Sequence, residues 1–157
     1  MKVALCIFLL AASLAAQAPG TVKPSVIMAP VRPIQMSPGE TRRVELDFRV
    51  SSGFHINSNK PKSNLLIPTA LKLTVAKPME IASVEYPAGE DQTFPFSPNE
   101  KLSVYTGDFT VYVILRAPPL LHGSSFPVGG ELYYQACDKN ACYPPKKLAV
   151  DFNVSVR

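Results

Sequence analysis

Cys137 and Cys142 are the residues of this 157-residue sequence best suited to chemistry; they bracket Asp138-Lys139-Asn140-Ala141. Asp and Asn favour tight turns, and a four-residue turn sets the two flanking residues opposite each other on neighbouring strands. Strand residues facing each other in this way have Cα atoms about 4.5–5.5 Å apart, a separation a disulfide can bridge. A bridge closing a loop of about six residues stabilises by only about 2 kcal/mol, whereas one closing ~100 residues contributes nearly 5. Such a bond is a weak staple, and exposed short-loop disulfides are the more easily reduced kind. Spacing alone leaves a structural bridge and a redox pair equally open.

Whether the pair persists as a disulfide depends on compartment. Met1 and Lys2 precede an apolar run over residues 3–16, which ends in the small residues Ala15, Ala16 and Ala18. This is the pattern of a secretory signal peptide, residues 1–18, with cleavage after Ala15 or Ala18. The run is shorter than the ~20 residues of a membrane span. The third cysteine, Cys6, leaves with the signal, so an odd count of three becomes two in a periplasmic or secreted, oxidising setting.

The other constellations are weaker. The net charge of +4 falls to +3 when Lys2 leaves (15 basic against 12 acidic side chains), and the cations are scattered, so no nucleic-acid partner is expected. His55 and His122 lack the paired ligand spacing of a zinc site, so no metal is expected, and the sequence holds no phosphate loop or dinucleotide fingerprint that would bind a cofactor. His55 reads as a structural hydrogen-bonder within a strand. The mature chain is expected to be a monomer.

The elements that must position the pair read as strands. Residues 42–50 alternate, with Val44, Leu46, Phe48 and Val50 on one face. The same period recurs at Leu71, Leu73 and Val75, at Phe109, Val111, Val113 and Leu115, and from Leu148 to Val156. Weaker strands are expected at 25–31, 53–57, 81–86, 103–106 and 131–136. With 16 prolines, about twice the usual share, and no helical periodicity, the chain suits short strands and stiff loops. An all-β antiparallel sandwich of seven to nine strands over residues 19–157 follows, with an immunoglobulin-like topology its commonest form; periodicity does not separate sandwich from barrel. Residues 87–102 show little pattern and are expected to form a long exposed loop.

The segment Tyr134-Gln135-Ala136-Cys137 with Cys142-Tyr143-Pro144-Pro145 resembles the cysteine motif of the N-terminal periplasmic domain of the thiol:disulfide interchange protein DsbD. Gly53-Phe54-His55-Ile56-Asn57 is similar to an early aromatic strand of that family, and Val104-Tyr105-Thr106-Gly107-Asp108-Phe109 to the strand after its loop. The resemblance spans roughly residues 25–157, with four residues between the cysteines where the best-known members hold five. It implies an immunoglobulin-like protein-disulfide oxidoreductase component with no cofactor. Its partners would be a membrane-embedded reductase or thioredoxin-like domain and oxidised periplasmic proteins. Since the sequence to Arg157 contains neither of those two further domains, other chains are expected to supply them. The resemblance further implies that Cys142 attacks and Cys137 resolves. An aromatic cap over the cysteines would come from Phe94 or Phe96, with Tyr134, Tyr143 and Phe54 as walls. Lys139, Lys146 and Lys147 would favour the thiolate and Asp138 oppose it. The alternative is an immunoglobulin-like binding module whose hairpin disulfide is structural.

Overall fold

The computed structural model describes residues 26–157; the expected signal peptide, its cleavage sites and Cys6 lie outside the described residues. The long strands are those with the strongest alternation. β3 (Thr41–Val50) buries Val44, Leu46, Phe48 and Val50 and points Glu45, Asp47 and Arg49 outward. β9 (Asp108–Arg116) does the same with Phe109, Val111, Val113 and Leu115. β12 (Lys146–Val156) contributes Val150, Phe152, Val154 and Val156. Burying one such side chain is worth about 1.5–3 kcal/mol, so these faces decide which residues meet.

Two four-stranded sheets enclose this core. One has β1 (Val26–Met28), β3, β9 and β6 (Glu80–Glu85) in the order β1-β3-β9-β6, all antiparallel. The other has β2 (Ile34–Met36), β12, β10 (Ser124–Tyr134) and β5 (Ala70–Val75) in the order β2-β12-β10-β5. The short β2 runs parallel to β12; the remaining pairs of this sheet are antiparallel. In chain order β1, β3, β5, β6, β9, β10 and β12 occupy the places A to G of an immunoglobulin constant-type domain. Sheet β1-β3-β9-β6 is then ABED, and β5-β10-β12 is CFG. The all-β sandwich is therefore the fold.

The described residues form twelve strands rather than seven to nine, because the connections fold into strands of their own. A third sheet, order β11-β4-β8-β7, is built from β4 (His55–Asn57), β7 (Glu90–Phe94), β8 (Ser97–Tyr105) and β11 (Ala136–Cys137). Residues 87–102 are thus largely a hairpin, not a loop. Glu90, Asp91 and Gln92 pair with Val104, Ser103 and Leu102, and the chain turns at Pro95-Phe96. Alternation was invisible there because β7 and the outer half of β8 bury almost nothing. Pro98 is tolerated because that part of β8 has only β7 as a neighbour. In the immunoglobulin order, β4 lies in the B–C connection, β7–β8 in D–E and β11 in F–G. Those three connections leave an antiparallel sandwich at the same end, so they meet.

The seam between β5 and β10 depends on a glycine. A Cβ on Gly130 would sit 2.0 Å from the Lys72 carbonyl oxygen, whereas one on Gly129 would meet only the mobile end of Asp151, at 3.1 Å. Urea unfolding should therefore show Gly130→Ala losing about 2 kcal/mol or more, and Gly129→Ala well under about 1 kcal/mol. Equal losses would mean that β5 shifts freely along β10.

Candidate functional site

Cys137 and Cys142 are bonded, with Cα atoms 3.9 Å apart, closer than the 4.5–5.5 Å expected from opposed strand residues. The intervening residues form the expected turn. The Asp138 amide donates to the Ala141 carbonyl at 2.9 Å, and Tyr143 N–H donates to the Ala136 carbonyl at 2.9 Å. Asp138 is also the turn's internal cap, because its Oδ1 accepts from the amides of Asn140 (2.7 Å) and Ala141 (2.9 Å). The two sulfur-bearing residues differ sharply in access. Cys137 is fully buried, whereas Cys142 is on the exposed return of the hairpin.

Cys137 is buried because β11 adds to the edge of the third sheet, with Ala136 opposite Ile56 and Cys137 opposite His55. The other side of β4 is tied to β8, Ile56 facing Tyr105 and Asn57 facing Val104. Side chains reinforce the same position. Asn57 Nδ2 donates to the Ile67 carbonyl at 2.9 Å and to Gln135 Oε1 at 3.4 Å, and Gln135 Nε2 donates to the Tyr143 carbonyl at 3.2 Å. Gln135 thereby couples β4 to the exit of the cysteine hairpin. The start of the β7–β8 hairpin is clamped on the same strand. A Cβ on Gly89 would lie 2.2 Å from Ser103 Oγ and 2.7 Å from Ser58 Cβ, and the Ser58 and Ser103 hydroxyls share a buried hydrogen bond of 2.9 Å.

The aromatic residues singled out in the sequence divide into three groups. Phe94 and Phe96, at the end and turn of the β7–β8 hairpin, lie over His55. The Phe94 ring stacks on the imidazole with centroids 3.8 Å apart, and Phe96 stacks on Phe94 at 5.5 Å. Phe96 remains 39% exposed. Phe54 and Tyr143 pack against each other at 5.9 Å, beside Cys142 in the chain. Tyr134, by contrast, is buried in the sandwich core. Of the three lysines expected to act on the thiolate, Lys147 is held by Glu131 across β10–β12 at 2.8 Å. His122 lies in the connection between β9 and β10, at the other end of the sandwich from the cysteines.

His55, expected to be a structural hydrogen-bonder, leaves one ring nitrogen unpaired. It is only 3% exposed, and its Nε2 has no hydrogen-bond partner among the described residues. Burial pushes the imidazole pKa below its usual 6.5, an effect partly offset by the nearby Asp138 charge. Asp138 itself is held below the usual carboxylate range, first by the Tyr143 hydroxyl that donates to its Oδ2 at 2.5 Å and then by the two turn amides. The same carboxylate raises the Tyr143 phenol. Gln135 and Asn57 enter the sequence reading only within the resembling segments, without their bonds; for the capping role of Asp138 the available signal is an Asp opening the turn between the cysteines.

The depressed His55 pKa carries a sign for stability. The folded protein resists a proton that the unfolded chain accepts below about pH 6.5, so this contribution is present above that pH and is lost on acidification. The urea midpoint should fall between about pH 7 and pH 5, and fall less in His55→Phe, which keeps an aromatic ring against Phe94. Asp138 adds an acid-side loss only below about 3.8. Parallel curves for the two proteins would place the proton uptake elsewhere.

Residues 25–153 match the family model described as thiol:disulfide interchange protein DsbD, N-terminal. No curated protein matches the chain. Among solved structures, it is similar to the Neisseria meningitidis DsbD N-terminal domain in its reduced form. The two are 20% identical with a TM-score of 0.43, over 69% of this chain and 74% of that one. It is also similar, at 19% identity and a TM-score of 0.43, to a structure of the complex between the DsbD N-terminal and PilB N-terminal domains from the same organism, over 69% of this chain and 73% of that one. By the span of that model, which holds both Cys137 and Cys142, the chain belongs to the DsbD N-terminal family of thiol–disulfide exchange domains.

Proposed function

We propose that the chain is an exported interchange domain that passes two electrons through Cys137 and Cys142, from a membrane-embedded reductase or thioredoxin-like domain to oxidised periplasmic proteins. Residues 1–18 act as the export signal, and 19–157 are the working domain. The unequal access of the two sulfurs carries this reading: one cysteine is offered to solvent and the other is fully buried behind it. A staple between distant strands would need no such asymmetry.

The steps follow from it. With the pair reduced, the Cys142 thiolate attacks one sulfur of a partner disulfide. A mixed disulfide forms and the partner's other sulfur leaves as a thiolate. Cys137 then attacks Cys142 Sγ, the bond between Cys142 and the partner breaks, and the partner departs with both sulfurs reduced. The domain ends with its own disulfide and is recharged by the reverse sequence with the reductase. Phe94 and Phe96 act as the cap, since their stack lies on His55, the residue paired with Cys137. Tyr143 and Phe54 form a wall beside Cys142.

Cys137→Ser should accumulate a mixed disulfide through Cys142 in its native host, visible as a thiol-sensitive adduct. A trap seen only in Cys142→Ser reverses the assigned roles. The reduction potential should lie well above the roughly −300 mV that marks structural bridges; a lower value favours the binding module with a structural disulfide. Phe94→Ala and Phe96→Ala should speed reduction of the disulfide by dithiothreitol severalfold, and unchanged rates in both would remove the cap.

A further inference from the structure

The resolving step described above leaves a proton unaccounted for. Cys137 is fully buried, and loss of solvation disfavours a charged sulfur, so the attacking group starts as the neutral thiol. A thiol is a poor nucleophile, so something must take its proton when it attacks Cys142. Solvent does not reach Cys137; Lys139 is exposed, Lys147 is paired with Glu131, and Lys146 is on the β12 strand rather than on the strand opposite Cys137.

One basic group is positioned for the task. Cys137 and His55 are direct partners across the β11–β4 ladder. Opposed residues of an antiparallel pair project to the same face of the sheet, with Cβ atoms about 4.5–5.5 Å apart. The imidazole is buried, its Nε2 lacks a hydrogen-bond partner among the described residues, and Phe94 lies flat against its ring. Leaving a buried polar atom unpaired is costly, which makes an unused ring nitrogen beside a buried sulfur a feature that calls for a use. We propose that His55 is the proton acceptor for the Cys137 thiol in the resolving step, an inference that rests on the exchange reading above.

The balance is simple. As the Cys137 Sγ–Cys142 Sγ bond forms, the bond from Cys142 to the partner breaks and the partner sulfur leaves with the electron pair. The Cys137 proton passes to the imidazole, which becomes imidazolium, and then to the departing thiolate or to water. The Asp138 carboxylate, whose charge already acts on His55, favours that transient cation. Among the described residues it is the one charged group that acts on the ring; the β7–β8 hairpin meets His55 with Phe94 and Phe96, which do not titrate. When the disulfide closes, Cys137 has no proton and the acceptor stands idle, as the unpartnered Nε2 does in this oxidised state.

The experiment is a stopped-flow reaction of the reduced mature domain, residues 19–157 without Cys6, with 5,5′-dithiobis-(2-nitrobenzoate), followed by release of thionitrobenzoate. Attack by Cys142 releases the first equivalent and resolution by Cys137 the second. An ordinary thiol, of pKa near 8.5, is only about 3% ionised at pH 7, so loss of the base should lower the ratio of second-phase to first-phase rate about tenfold. That fall is expected in both His55→Gln and His55→Phe, and it should shrink as the pH rises far enough for the thiol to ionise unaided. A loss in Gln with none in Phe assigns the effect to ring stacking and overturns the proposal, as does a ratio unchanged in both. If neither variant folds, the native pH profile decides. A second phase already level at neutral pH supports the base, and one rising only through the thiol's own range overturns it. Should the native chain release a single equivalent, the exchange reading itself falls, an outcome distinct from a two-phase reaction indifferent to His55.

Discussion

The placement of Cys137 by two ladders at once is the constraint on which the rest of the site depends. Toward the sheet interior it faces His55, and toward solvent it faces Cys142. The first contact buries it and the second brings the partner sulfur to it. A strand of only two residues, Ala136–Cys137, does both. Such a short strand has little stability of its own, so its position is inherited from β4, and that of β4 from β8. The chemistry at the surface is in this sense fixed from the inside outward.

The sandwich provides the platform but not the site. Its two sheets take their register from long alternating strands, and those were legible in the sequence because period-two burial leaves an unmistakable pattern in Val44–Val50, Phe109–Leu115 and Val150–Val156. The third sheet left no such trace. β4 is buried on both faces at His55, Ile56 and Asn57, and β7 is open on most of its length, so neither alternates. A hairpin of exposed residues with prolines at Pro95 and Pro98 resembles a loop to any argument from hydrophobic period. Its pairing comes from β8, whose last four residues are buried and reach back to β4. The cysteine turn was legible because turn chemistry is local. The setting of His55 was not, because an isolated histidine in a short apolar segment carries no information about its cross-strand neighbour.

Electrostatics at the site are arranged around one carboxylate. Asp138 accepts from two turn amides and from the Tyr143 hydroxyl, which keeps it ionised and holds the hairpin closed over its own backbone. Half-exposed at the surface, it contributes little to stability as a charge. Its effect is geometric on the hairpin and electrostatic on His55. A negative charge beside the cysteines opposes thiolate formation directly, yet through a neighbouring imidazole the same charge assists it. The two influences act on different sulfurs, since the carboxylate borders the hairpin while the imidazole adjoins Cys137.

A redox pair must keep its geometry when the bond is open, and here the third sheet does not rely on the disulfide. Thr69 Oγ1 donates to the Asn57 carbonyl at 2.6 Å, Ser58 N–H donates to the Ser103 carbonyl at 2.9 Å, and the Tyr105 hydroxyl donates to Asn59 Oδ1 at 2.8 Å. These bonds tie β4 and the residues after it to β8 and β5 without involving either cysteine. Each is worth about 1 kcal/mol net, and the groups are costly to leave unpaired once buried. Together they exceed the roughly 2 kcal/mol that a six-residue disulfide loop provides. Opening the bridge therefore removes the smaller restraint and leaves the larger ones in place. The strand that presents His55 to β11 is thus held by bonds that do not depend on the disulfide.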